Sequence, residues 1–203
     1  YAQGMSRIRR TQMCTPARAT LTASKTTDGY HFRGLDVSGV TEGLLAIVDD
    51  APSTGLDEFV ETATGVAFPT MLDRPATGYP AWALSKSAET KLARLAGVNP
   101  RELEKDGFIV GMAVTAKRST RGVAGLRVAH AHSGNPVDNA IYPSADLSTT
   151  QNATSTSGLF VIPSGAFAEY GMIDDKGRPA SETQQAISPA GSAFAMTLEH
   201  TGN

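Results

Sequence analysis

Charge is scarce in this sequence. Only 19% of its 203 residues are Asp, Glu, Lys or Arg, against about 25% in an average globular chain, and the formal net charge is −2. Nothing general pulls such a chain toward nucleic acid or anionic lipid, because counterion release needs clustered Lys and Arg. The one basic cluster, Arg7, Arg9 and Arg10, reads as an unstructured start. Cysteine is scarcer still. Cys14 is the only one, which excludes an internal disulfide framework and a Cys-based zinc site. No apolar run approaches the roughly 18 residues of a membrane-spanning helix, and no signal-peptide core is present. If the protein is exported, its leader is expected to lie upstream of Tyr1 or to have been removed. Tyr1 to Gly4 precede the first methionine, Met5, and are expected to be non-native.

What the chain does have is turn chemistry. Its 20 glycines and 11 prolines, among many Thr, Ser and Ala, predict short strands joined by many turns. Ala19 to Ala23 alternates, Thr26-Thr-Asp-Gly29 makes a turn, and Tyr30 to Leu35 alternates again. Gly43 to Val48 is an apolar run of strand length, ended by the loop-like Asp49 to Gly55. Phe59-Val60 and Gly65 to Phe68 add two strand pieces. A helix is expected over Ala88 to Ala96, after Ser87 and before Gly97. A second follows, with Asn99 as N-cap, Pro100 at the first position and Glu102 completing a capping box. After Gly107 the strand pattern returns at 108–114, 125–130, 140–147, 158–163, 166–173 and 192–199.

These patterns predict an all-β, or β-dominated, chain of two small antiparallel β-sandwich-like halves joined by a short helical connector. The expected divisions are an N-terminal arm over 1–17, a first half over 18–84, the connector over 85–106 and a second sandwich over 107–203. The first half is poorer in strands. Its open sheet edge is expected to be covered by the arm, with Ile8 and Met13 as anchors, within one chain or between subunits.

Thr26-Thr-Asp-Gly-Tyr-His-Phe32 resembles the "T-x-D-G-x-F" turn of carboxypeptidase-regulatory-like, or prealbumin-like, β-sandwich modules. Gly107 to Val114 followed by Gly122-Val-Ala-Gly-Leu-Arg-Val128 is similar to the opening of such a module. Thr154-Ser-Thr-Ser-Gly-Leu-Phe-Val161 resembles its later "T-x-x-G-x-F" turn, with Ser157 where Asp is usual. The resemblance covers roughly 107–165, and 19–60 more thinly. It makes Asp28, Gly29, Ser157 and Gly158 structural turn residues, with Gly29 and Gly158 in conformations that disfavour a β-carbon. It also implies a secreted, periplasmic or surface-anchored bacterial module that binds a protein or glycan, or self-assembles, without catalysis or cofactor of its own.

One segment carries a rival chemistry. Arg127-Val-Ala-His130-Ala-His132 is similar to the "R-P-x-H-x-H" stretch of intradiol dioxygenases, which use the same fold and hold non-haem iron through two Tyr and two His. By that resemblance His130, His132, Tyr79 and Tyr30 would be the ligands. Val128 stands where that family has proline, and a helix and a fresh strand separate Tyr79 from His130. The sequence therefore favours a reading in which neither a metal nor a catalytic residue is assigned.

Three other constellations are weaker. Asp49-Asp50, Asp57-Glu58 and Asp174-Asp175 lack the alternating spacing of a calcium loop and read as loop tips. Leu92 to Asn99 superficially matches a helix-turn-helix turn, but the following helix is too short and too neutral to read a groove. Ser133, Ser157 and Ser164 lie near glycines without forming a nucleophile elbow.

Overall fold

The computed structural model describes residues 24–26, 29–31, 44–48, 58–66, 81–116, 119–188 and 190–202. Ile8, Met13, Cys14, Asp28 and Tyr79 lie outside these residues, as does the whole of the expected arm.

Strands run through both parts of the chain. In the first half they are β1 (Ser24–Thr26), β2 (Gly29–His31), β3 (Leu44–Val48), β4 (Phe59–Val60), β5 (Thr62–Val66) and β6 (Leu84–Ser85). Two helices follow, α1 (Lys86–Ala96) and α2 (Pro100–Asp106). The remaining strands are β7 (Phe108–Val114), β8 (Arg127–His130), β9 (Tyr142–Pro143), β10 (Thr150–Gln151), β11 (Leu159–Pro163), β12 (Ala168–Ile173), β13 (Gln184–Ala186) and β14 (Ala193–Glu199). The protein is thus strand-rich, with several sheets. Among the described residues no helix is long and apolar enough to cross a membrane.

The helix signals act locally. Asn99 accepts from Arg101 N at 2.9 Å, Glu102 reaches back to Asn99 N at 3.4 Å, and Gly107 ends α2. In α1 the cap is Ser85, whose hydroxyl accepts from Ala88 N at 3.2 Å; Ser87, the expected start, lies inside the first turn. Gly97 closes α1 in the left-handed region, at φ 71°.

The largest sheet has five strands in the order β11-β7-β14-β5-β3. Here the expected antiparallel pattern does not hold throughout, because β14 runs parallel to both of its neighbours. It pairs with β7 from Phe108↔Ala193 to Val114↔Glu199, and with β5 over Thr62–Thr64. The five-stranded sheet therefore draws strands from both sides of the helices, and β5 takes its neighbour from β14. A three-stranded antiparallel sheet has the order β13-β12-β8.

The period of two decides what each face of the large sheet covers. Ile109 and Ala113 of β7, Phe160 and Ile162 of β11, and Phe194, Met196 and Leu198 of β14 join one hydrophobic cluster with Val128, Tyr170, Met172 and Ala186 of the three-stranded sheet. The intervening Phe108, Val161 and Ala193 join a second cluster with Val60 and with Leu92, Ala93 and Leu103 of the helices. Thr62 and Thr64 are buried beside it. Their hydroxyls accept from Leu84 N at 3.3 Å and Trp82 N at 3.0 Å, tying the approach to α1 along β5.

The strand expected over 140–147 shrinks to β9. Beyond it Ser144 N bonds Thr149 O at 2.8 Å, and Asp146 accepts from the Ser144 and Ser148 hydroxyls at 2.6 and 2.8 Å. These bonds hold the Asp146 carboxyl down at about 2 and turn the chain at Leu147, which has φ 58°.

Candidate functional site

The turn motifs of 122–128 and 154–161 come together at one backbone crossing, whereas Gly29 lies in the β1–β2 hairpin. Ala113 in β7 accepts from Val123 N at 2.9 Å, and its own N–H bonds Gly158 O at 2.9 Å. Gly122 and Gly158 lie face to face there. A β-carbon on Gly122 would stand 2.1 Å from the carbonyl carbon of Ser157, and one on Gly158 would stand 2.2 Å from Ala113 O. Gly158 also has φ 71°, where L side chains are strained. Three stretches of backbone approach this closely only because two of them carry no side chain.

Thr154 locks the crossing. It is 3% exposed. Its hydroxyl donates to Val123 O at 2.7 Å and accepts from Leu126 N at 3.0 Å. Its backbone exchanges bonds with the same loop, to Gly125 N and Leu126 O, both at 2.8 Å. Ser157 shares a 2.8 Å bond with Ser155 and accepts from Leu159 N at 3.3 Å, so a hydroxyl does the turn-closing that a carboxylate would do.

Other hydroxyls, buried or half-buried, act alike. Tyr170 donates to Ala166 O at 2.6 Å, folding the 164–168 corner onto β12. Tyr142 accepts from Val128 N at 3.0 Å, and burial pushes its phenol pKa upward. Ser188 Oγ accepts from Gly165 N at 2.6 Å, Ser181 Oγ accepts from Met172 N at 2.7 Å, and His200 Nδ1 lies 2.7 Å from Ala180 O.

The two histidines of the R-x-x-H-x-H stretch separate. His130 ends β8, half-buried, with its ring 5.4 Å from that of Tyr170. His132 is exposed in the turn that His130 O closes by accepting from Gly134 N at 2.8 Å. The two-residue alternation that would aim both rings one way ends with the strand. Tyr30 pairs with Lys25 in the β1–β2 hairpin. Among the described residues no three or more His, Cys, Asp and Glu side chains are placed to hold one metal ion.

The remaining candidates have local work. Ser133 Oγ accepts from Asn135 N at 3.2 Å, and Ser164, at φ 51°, bonds Gly107 O through its N–H at 3.1 Å. Asp174 accepts from Arg178 N at 2.8 Å, and that bond leads the lowering of its carboxyl pKa. Asp175 is exposed beside it, so this acidic pair is a loop tip. At the α1–α2 corner, Thr90, Lys91, Arg94, Val98 and Pro100 line an open cleft of about 370 Å³.

Two features have no counterpart in the sequence reading. Gly111 faces Phe160 across the β7–β11 pair, where a β-carbon would stand 2.0 Å from Cζ of the ring. Glu89, on the buried stripe of α1, is 3% exposed and its Oε1 has no hydrogen-bond partner. Burial, and then the charge of Glu104, raise its pKa, while Lys86 opposes them. A carboxylate at a helical position that otherwise reads as apolar was the available signal for the second. The first has none.

No protein-family model matches the chain, and no curated protein matches it.

Proposed function

We propose that this chain is a non-enzymatic, extracytoplasmic β-sandwich module of the carboxypeptidase-regulatory-like kind. Its sheets and the helices packed against them form a scaffold that presents a sheet edge or loop cluster to a protein or glycan at the cell surface, or to another copy of itself. The observation that carries this reading is the use to which the buried and half-buried hydroxyls are put. Thr154 and Ser188 each tie two loops together through backbone groups, Ser181 ties its segment to β12, and Tyr170 folds the preceding corner onto its own strand. Groups so engaged are rigid and occupied, which suits presentation better than proton transfer. The meeting of the "G-V-x-G-x-x-V" and "T-x-x-G-x-F" motifs at one crossing gives both motifs a common structural reason and adds support.

The test is affinity purification from the native source under extracellular conditions, with chelator-free protein assayed for metals in parallel. A protein or glycan that co-purifies and binds the isolated chain supports the reading. Stoichiometric iron with a phenolate-to-metal absorption band would overturn it.

A further inference from the structure

β7 and β14 are neighbours, parallel, and in register over seven pairs. The chain enters β7 at Phe108 and leaves β14 at Glu199, at opposite ends of the paired ribbon. Tension between the segment before Phe108 and the segment after Glu199 would therefore draw the two strands in opposite directions along their own axes. Under that load every ladder bond is stretched at once. Strands pulled from a shared end give way one bond at a time.

The ribbon is also well placed to resist. Its outer edges are paired, β7 with β11 and β14 with β5. Ile109, Ala113, Phe194, Met196 and Leu198 bury it on one face, and Phe108 and Ala193 on the other, so water has poor access to replace a strained bond. Both ends are fastened. Gly191 N bonds Glu104 O at 2.7 Å at the entry end, and His200 N bonds Val114 O at 2.8 Å at the exit. β5 also runs parallel to β14, so load arriving through Thr62 shears that pair in the same sense.

We propose that the protein bears tension along its chain and that β7–β14 is its load-bearing clamp. The source of the tension rests on the surface-module reading; the clamp follows from topology alone.

Single-molecule force measurement tests this on the full chain with Cys14→Ala and two pairs of attachment thiols at exposed positions. Asp106→Cys with Thr201→Cys loads the clamp at opposite ends. Thr115→Cys with Thr201→Cys loads it at one end. At matched loading rate the first geometry should rupture at about twice the force of the second or more, since forced unfolding reports the barrier along the pulled direction. It should also release residues 106–201 in one step. Equal forces, or stepwise release in the first geometry, would overturn the clamp. Should the thiol variants lose the circular dichroism of the parent, the unmodified chain pulled through terminal fusions serves instead. Its highest-force event must then release the stretch from β7 to β14. Equal forces would leave the binding reading standing, and a catalytic activity found in the native source would leave the force ratio standing.

Discussion

The two faces of the five-stranded sheet differ in how fully their buried polar groups are satisfied. The face against the three-stranded sheet has the larger cluster, and the hydroxyls buried beside it, those of Thr154, Tyr142 and Tyr170, all find backbone partners. The face under the helices has a smaller cluster, and Glu89 brings an unpartnered carboxyl oxygen to the buried stripe of α1. A satisfied hydroxyl adds about 1 kcal/mol and fixes a geometry, whereas an unsatisfied buried group costs about 1–3 kcal/mol. The first face is therefore built to hold one arrangement. The second keeps a cost that depends on whether a proton is present.

The sharpest way to break the first face is at its glycines. Gly158→Val and Gly122→Ala should each cost more than about 3 kcal/mol in urea unfolding, because the new atoms meet backbone and no rotamer relieves them. A loss under about 1 kcal/mol at both would mean that the crossing is looser than described. Gly111→Ala should cost about 2 kcal/mol, and Phe160→Leu in the same chain should recover part of it, since the obstacle is a ring. Strict additivity would show that the two residues do not touch. Thr154→Val keeps the shape but strands Leu126 N, and about 1–3 kcal/mol should be lost.

The second face should answer to pH. In the folded protein Glu89 has a pKa above its ordinary 4.5, so between the unfolded and folded values the native state holds more protons. Its contribution to stability is therefore complete below about pH 4.5 and falls as pH rises through the folded value. Glu89→Gln should match the wild type in Tm at pH 4 and exceed it at pH 8. A constant gap across that range would place the carboxyl in water. The smallest effect is expected from the histidines. Replacing His130 and His132 together by Ala should stay within about 1–2 kcal/mol, nearly all of it from the loss of His130 against Tyr170. A larger loss that added metal reverses would assign them a different role.

Elements with strong internal signals were legible in the sequence. The capping box of Asn99 and Glu102 marked α2, and the apolar run from Phe108 marked β7 to the residue. Strands β6, β10 and β13 were not. Leu84-Ser85, Thr150-Gln151 and Gln184-Gln-Ala186 are short and mostly polar, and pairing with neighbours makes them strands. The parallel seat of β14 was equally hidden, since alternation tells which side chains are buried and says nothing of which strand lies alongside. At the crossing, the turn at Thr154–Gly158 was legible from its Thr, Ser and Gly. That it closes on Gly122 was not, because the contact joins segments distant in the chain.

The central position of β14 has a consequence for assembly during synthesis. Strands β3, β5, β7 and β11 all leave the ribosome before it, yet β5 and β7 have no common neighbour until it arrives. Before then the β3–β5 and β7–β11 pairs exist separately, and β5 and β7 each keep an unpaired edge with apolar side chains beside it. Long-range parallel pairing is intrinsically slow, and such edges are where nascent chains associate wrongly. The last piece to arrive goes into the middle of the sheet, so the β3–β5 and β7–β11 pairs remain separate until residues 193–199 are free, and then join through a single strand.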